Sequence, residues 1–206
     1  MRHPRHEVDV DVDLVRRLLR EQHPDLAGRE LAIASWGWDN VTVRVGDDLA
    51  ARLPTREISA PLVVHEQQWL PVLARLLPVA VPAPVRTGEA GAGYPWRWSV
   101  VPWFEGTPAV ALPPARRDPW APELARALAA LHVAAPAAAP PNPFRGVPLL
   151  ERDPVVQQRV AAMPDAQVLL EAWQDGLAAP AFDGAPRWLH GDLHPANLLS
   201  RDGGLA

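Results

Sequence analysis

Hydrophobic positions recur at two different spacings along the chain, and each spacing predicts its own kind of element. A helical spacing of leucines and valines begins after Asp13 and stops at His23 and Pro24. Strand-like runs follow at residues 31–34, 41–45 and 49–53, the second of them alternating strictly between apolar and polar residues. This part of the chain therefore predicts a helix followed by an antiparallel meander.

A second helix and two further strands complete the first region. The helix is predicted over residues 59–77, with Pro71 introducing a kink, because apolar residues form one stripe along it. The strands are predicted over residues 79–85 and 96–103, on either side of a turn-rich stretch at 87–93. Five strands and one crossing helix predict a compact lobe.

The pattern changes from strands to helices near residue 105. Helices are predicted from Pro119 onwards and over residues 155–160 and 166–177, whereas the proline- and alanine-rich stretch 134–148 predicts a loop. The fold class predicted from this order of elements is α+β, with a five-stranded lobe followed by a mainly helical one.

The last residues of the chain predict a hairpin. A strand at 198–199 leads into a turn at 201–204, and two residues of a return strand follow. Because so short a return strand does not complete a ladder, we interpret the chain as truncated at its C-terminus.

Composition excludes several classes of protein. The 206 residues carry a formal charge of −4 and have scattered basic residues, which argues against nucleic acid or an anionic membrane as a partner. With no cysteine, disulfide frameworks, thiolate zinc sites and cysteine nucleophiles are excluded. No apolar run has the length of a signal peptide or a membrane span, so a cytoplasmic location is expected.

All 20 basic residues are arginine, and this restricts the chemistry available to any site. A role that normally needs lysine must be taken by a guanidinium, which is larger and donates its hydrogen bonds in a planar fork.

Residues 188–197 read WLHGDLHPAN and contain the most specific motif of the chain. A His-x-Asp is followed five residues after the Asp by Asn197. In kinases an Asp in such a loop accepts the proton of the attacking hydroxyl, and the Asn holds a magnesium ion. The stretch resembles the catalytic loop of the aminoglycoside phosphotransferase family of small-molecule kinases. The resemblance implies that Asp192 is the catalytic base and Asn197 a metal ligand, with His190 and His194 structural.

Two other interpretations of this loop stay open. It is either an ordinary polar turn, or part of a metal-dependent hydrolase in which His190, Asp192 and His194 are the ligands, although the sequence offers no second group of ligands.

Upstream residues occur in the order that the resemblance requires. Ser35 and Gly37 lie in the predicted turn between the first two strands, where the family covers the nucleotide phosphates. Ala50 and Arg52 share one face of the third strand, at the places of the adenine-facing residue and the phosphate-binding lysine. Arg52 departs from that lysine, and an exposed strand arginine is the alternative.

Two further features extend the resemblance. Glu66 lies on the apolar stripe of the second helix, and the resemblance implies that it pairs with Arg52; the alternative is a glutamate that reaches water. Residues 98–106 resemble the connection between the lobes, where the main chain of Val101 or Trp103 would meet the base because Pro102 has no donor.

The resemblance implies a two-lobed, protein-kinase-like fold, with a nucleotide-binding lobe at residues 1–104, a hinge near 100–106, and the first part of a helical lobe at 107–206. The implied activity is transfer of the γ-phosphate of ATP or GTP, with Mg²⁺, to a hydroxyl of a small molecule. The family's second magnesium-binding Asp motif is absent, so we expect little activity from these 206 residues alone. A non-catalytic nucleotide-binding remnant is the alternative.

Overall fold

The computed structural model describes residues 5–142, 145–164 and 166–206, and the elements that it contains confirm the α+β class. The first helix, α1, spans Val12–Gln22. The cap is Asp11 and not Asp13, because the Asp11 carboxylate accepts the Leu14 N–H at 2.7 Å. The leucines and valines of one face are buried, as their helical spacing predicted.

Five antiparallel strands form the sheet that α1 covers. They are β1 (Leu31–Trp36), β2 (Asn40–Val45), β3 (Leu49–Pro54), β4 (Arg86–Gly88) and β5 (Trp98–Pro102). Their spatial order is β1-β2-β3-β5-β4, so β3 lies at the centre. The meander predicted from the first three strand-like runs is confirmed.

The prediction of a strand over residues 79–85 was wrong. Pro82 and Pro84 remove main-chain donors from this stretch, which therefore cannot form a regular ladder. The fourth strand lies at Arg86–Gly88, partly in the stretch predicted as a turn. Gly88 is required there, because a Cβ on it would lie 2.0 Å from the buried indole ring of Trp98.

The second helix is shorter than its apolar stripe predicted. One turn of 3-10 helix at Glu57–Ser59 leads into α2, which spans Ala60–Leu73 and includes Pro71 near its end. Val63 and Leu73 are its buried residues.

The two faces of the sheet have different surroundings. One face forms the main hydrophobic core with α1, and Trp98 and Val100 of β5 are among its fully buried members. At the edge of this core the Tyr94 hydroxyl donates to the Pro54 carbonyl at 2.7 Å, and burial raises the pKa of Tyr94 far above its usual value. On the opposite face α2 contacts β5, and its Glu66 pairs with Arg52 of β3.

Two compact units divide the chain: residues 1–130 together with 194–206, and residues 131–193. The first unit also contains α3 (Pro114–Arg117), most of α4 (Ala121–Leu131) and a small sheet in the order β6-β7-β8. The bounds 1–104 and 107–206, expected from the resemblance, stay a prediction.

The small sheet includes the predicted terminal hairpin. Its strands are β6 (Thr107–Pro108), β7 (Leu199–Arg201) and β8 (Gly204–Leu205). Asp202 and Gly203 both have positive φ, which is the type I′ geometry favoured in two-residue hairpins. Sequence patterning missed β6, because two residues carry no periodicity.

The second unit contains α5 (Leu149–Val160) and α6 (Gln167–Ala178). The Trp173 indole N–H joins the two helices by donating to the Asp153 carboxylate at 2.7 Å. Both predicted helices are confirmed, although α5 begins six residues earlier than expected. The predicted loop at 134–148 holds no helix or strand of the described residues, and Pro143 and Phe144 in it lie outside them. Among the described residues, no helix combines the length and the apolar character needed to cross a membrane.

Candidate active site

Arg52 and Glu66 form an ion pair on the face of the sheet that α2 crosses. The Arg52 guanidinium lies 3.3 Å from the Glu66 carboxylate, and both side chains are about one-quarter to one-third exposed, at 25% and 32%. The strand-to-helix ion pair predicted from the sequence is therefore present. It leaves a guanidinium at the border between protein and solvent, which is where a phosphate group can reach it.

The face around this pair is held by a second link between sheet and helix. The Gln67 amide donates to the Trp98 carbonyl at 2.8 Å and to the Ser99 hydroxyl at 3.2 Å. Ala50 lies on the same face as Arg52, two residues away along β3, and is buried. Its small side chain takes up little of the space on that face.

The turn between β1 and β2 is a tight two-residue hairpin at Trp38 and Asp39. The Gly37 N–H donates to the Asn40 carbonyl at 2.8 Å and closes it. A Cβ on Gly37 would lie 3.0 Å from that carbonyl oxygen, so glycine fits this position best. Ser35, expected in the turn, lies in β1 opposite Thr42, because the ladder between β1 and β2 continues to Trp36 and Val41.

At the end of β5 the main chain has polar groups that make no hydrogen bond to β3. The Trp103 N–H donates to the Asp48 carbonyl at 2.8 Å, and the register places Val101 opposite Ala50. In an antiparallel ladder hydrogen-bonded residues alternate, so the main-chain groups of Val101 and Trp103 both face β3. The Pro102 carbonyl faces away from β3 for the same reason.

Phe104 supplies a donor beside that carbonyl. Within the described part of the chain its N–H makes no hydrogen bond. The Pro102 carbonyl and the Phe104 N–H are two residues apart and are an acceptor and a donor, the two kinds of group that the edge of a purine can pair with. The patterning of side chains could not reveal this, because the groups belong to the main chain.

The Trp103 side chain has a separate structural role. Its indole N–H donates to the Glu105 carboxylate at 2.9 Å, and the Arg44 guanidinium lies over its ring at 4.9 Å from the ring centre. Arg44 also donates to Glu105 at 2.6 Å. These contacts fix the start of the connection after β5 to β2.

Asp192 lies in the second unit, on a stretch held by main-chain contacts. Trp188 donates to the Val133 carbonyl at 3.1 Å, and the Arg187 guanidinium donates to the His132 carbonyl at 2.7 Å. Gly191 adopts a φ of +77°, which side chains rarely tolerate.

Arg145 is the partner of Asp192 that the sequence did not predict. Its guanidinium donates to the Asp192 carboxylate at 2.9 Å, and the two side chains are about half exposed. The contact joins residues 47 positions apart across loops, so neither periodicity nor motif spacing could indicate it. It is a charge-assisted hydrogen bond that orients one carboxylate oxygen.

The two histidines of the loop accept hydrogen bonds from their own main chain. His190 accepts from the Asp192 N–H at 3.2 Å, in the second unit. His194 accepts from the Ala196 N–H at 3.2 Å, in the first unit, where one turn of 3-10 helix at Pro195–Asn197 leads into β7. Among residues 5–142, 145–164 and 166–206, no group of three or more His, Cys, Asp or Glu side chains could hold a metal.

Sheet order, the ion pair from central strand to crossing helix, and the Asp-containing loop together define a kinase-like fold. A model of the phosphotransferase enzyme family, APH, matches residues 30–206. The chain belongs to this family. No curated protein matches it.

Solved structures of aminoglycoside and macrolide phosphotransferases share the fold. The GDP and kanamycin complex of APH(2")-IIia is 23% identical with a TM-score of 0.68, over 91% of this chain and 67% of that one. The streptomycin–ATP–APH(2")-IIa ternary complex is 17% identical with a TM-score of 0.60, over 96% and 69%. Macrolide 2'-phosphotransferase MphH from Brachybacterium faecium is 24% identical with a TM-score of 0.57, over 95% and 69%.

Proposed function

We propose that the protein transfers the γ-phosphoryl group of ATP or GTP to a hydroxyl of a small molecule, such as an aminoglycoside-like antibiotic or a hydroxylated metabolite. The observation that carries this proposal is the Arg52–Glu66 ion pair, formed at 3.3 Å on the face of the central strand in a member of the phosphotransferase enzyme family. Phosphoryl transfer depends on positioned charges rather than on a covalent intermediate, and an arginine held by a carboxylate supplies one such charge.

The nucleotide would occupy the α2-side face of the sheet. Arg52 would bind phosphate oxygens, and Glu66 would orient Arg52. The turn that Gly37 closes would approach the phosphates, with Ser35 beside it at the end of β1. Beside Ala50, the purine would meet the main chain after β5.

We propose that the base contacts main-chain groups of other residues than the expected Val101 and Trp103. Val101 and Trp103 stay part of the site through their positions beside Ala50 and at the start of the connection. The Pro102 carbonyl would accept a hydrogen bond from the base, and the Phe104 N–H would donate one to it. The Trp103 N–H does not serve this role, because it already donates to the Asp48 carbonyl.

Asp192 would accept the proton of the acceptor hydroxyl, and Arg145 would hold its carboxylate in one orientation. Asn197 would be a magnesium ligand, because its side-chain oxygen is a donor of the kind that Mg²⁺ binds. When bound, Mg²⁺ neutralises charge on the phosphate oxygens. A cytoplasmic location fits an enzyme that uses nucleoside triphosphates.

A non-catalytic nucleotide-binding remnant is the second candidate, and the observation in its favour is arginine at position 52 instead of lysine. Arg52 and lysine differ in size and in the direction of their donors, so an altered phosphate position is the physical basis for lost turnover.

The test uses the protein expressed from its complete reading frame, with Asp192→Asn and the control Asp183→Asn. We expect Asp192→Asn to lower kcat for transfer by about 10²- to 10⁴-fold, as for loss of a general base. The nucleotide Kd should stay unchanged. Asp183 is an exposed carboxylate of the same unit, and its variant should behave as wild type. Equal turnover of Asp192→Asn and wild type removes Asp192 from the mechanism; nucleotide binding without turnover in wild type favours the remnant.

A further inference from the structure

The hairpin turn at Trp38 and Asp39 is tied to the segment that joins β3 to α2. The Asp39 carboxylate accepts from the Arg56 guanidinium at 3.1 Å. The Asp39 carbonyl accepts from the Thr55 N–H at 2.9 Å and from the Thr55 hydroxyl at 3.2 Å. One residue of the turn therefore holds three contacts to two consecutive residues of the joining segment.

The joining segment is itself fixed on both sides. The Ser59 hydroxyl donates to the Arg56 carbonyl at 2.8 Å and also lies 3.2 Å from the Asp39 carbonyl oxygen. His6 contacts the Thr55 hydroxyl at 2.6 Å, and the Glu7 N–H donates to the Thr55 carbonyl at 2.8 Å. Thr55 and Ser59 are almost completely buried, at 0% and 2% exposure.

Partial burial makes the ion pair between turn and segment more than a solvated surface contact. The Arg56 and Asp39 side chains are 24% and 37% exposed. Screening by water is incomplete at such exposure, and the pair is supported by main-chain bonds that already fix both partners. The main-chain bonds already hold the two residues close together, so forming the ion pair orders only their side chains.

We infer that Arg56 and Asp39 are positioning residues that set the turn over the phosphates of the nucleotide. This inference rests on the proposed function. Two ion pairs then act on the same region: Arg56–Asp39 joins the turn to the segment that leads into α2, and Arg52–Glu66 joins α2 to the central strand. A turn already fixed in place loses little entropy on binding, so the nucleotide binds more tightly.

Asp39→Asn and Arg56→Gln, singly and together, test the inference. Each should raise the nucleotide KM and Kd by about two- to tenfold, the range for a partly buried ion pair, while kcat changes little. The double variant should be no weaker than the weaker single variant, because both changes remove the same interaction. Arg56→Lys, which keeps the charge, should restore part of the affinity.

Arg97→Gln is the matched control. Arg97 pairs with Glu89 at 2.9 Å beside β4, away from the turn, and its loss should leave the nucleotide Kd unchanged. Asp39→Asn keeps the carbonyl that Thr55 contacts, so this variant tests the ion pair even if Arg56→Gln fails to fold. Unchanged nucleotide KM in Asp39→Asn, or additive effects of the two changes, overturns the inference.

Hydrogen exchange of the nucleotide-free protein separates the inference from the proposed function. Exchange of the Gly37 amide should be faster in Asp39→Asn and Arg56→Gln than in wild type and Arg97→Gln. Equal exchange in all four proteins contradicts the connection itself. If the two variants exchange faster than wild type but wild type binds no nucleotide in titration, the connection between turn and segment is present. That result contradicts the proposed function alone.

Discussion

Arg52 shows how far a single residue can be interpreted before the structure is known. Its position on β3 and that of Glu66 on the apolar stripe of α2 predicted the ion pair, because a carboxylate among apolar residues needs a partner. Arg145 could not be predicted in the same way, since its contact with Asp192 depends on the course of two loops. The hydrogen bond from the Trp103 N–H to the Asp48 carbonyl could not be predicted either, because main-chain bonds leave no pattern in the side chains.

Glu66 should act on the nucleotide only through Arg52. Glu66→Gln removes the charge that orients the guanidinium, so we expect the nucleotide Kd to rise by about two- to tenfold. In an Arg52→Ala background the same change should have no further effect, which a double-mutant cycle of binding titrations measures. An equal effect of Glu66→Gln with and without Arg52 would show that Glu66 acts on its own.

At the scale of elements, helices and strands with a strong hydrophobic pattern were predicted well, and those with a weak pattern were not. The buried face of α1 and the alternation in β2 defined their elements, because periodicity is local, although the cap of α1 is Asp11 and not Asp13. The stretch 79–85 failed, since its valines suggest a strand that its prolines forbid. The short strand β6 forms only because β7 lies beside it.

Gly88 in β4 gives a prediction at the same scale. Gly88→Ala places a Cβ 2.0 Å from the Trp98 ring, which is fully buried and has no room to move. We expect a loss of roughly 1–3 kcal/mol in the free energy of unfolding, as for an overpacked core. Denaturant titration checks this, with Gly93→Ala as a contrast, because nothing lies within 4 Å of its Cβ position although its φ of +86° adds backbone strain. A Gly88→Ala protein as stable as wild type would contradict the packing of Trp98 against β4.

For the whole molecule, the order of elements predicted the class, and the family model over residues 30–206 establishes the family. The fold is shared with proteins whose structures contain kanamycin or streptomycin, and with a macrolide phosphotransferase, so the fold alone does not select an acceptor. The charge of −4 is compatible with a cationic acceptor but does not indicate one.

Calorimetric titration with MgATP and MgGTP tests most directly whether the face bearing Arg52 is a nucleotide site. For the protein expressed from its complete reading frame we predict binding of at least one of the two, with one nucleotide per chain. Arg52→Ala should weaken it by about 10- to 100-fold, as expected for loss of a hydrogen bond to a charged group, while Arg97→Gln leaves it unchanged. Failure of both nucleotides to bind, or equal binding by wild type and Arg52→Ala, would contradict the proposed site.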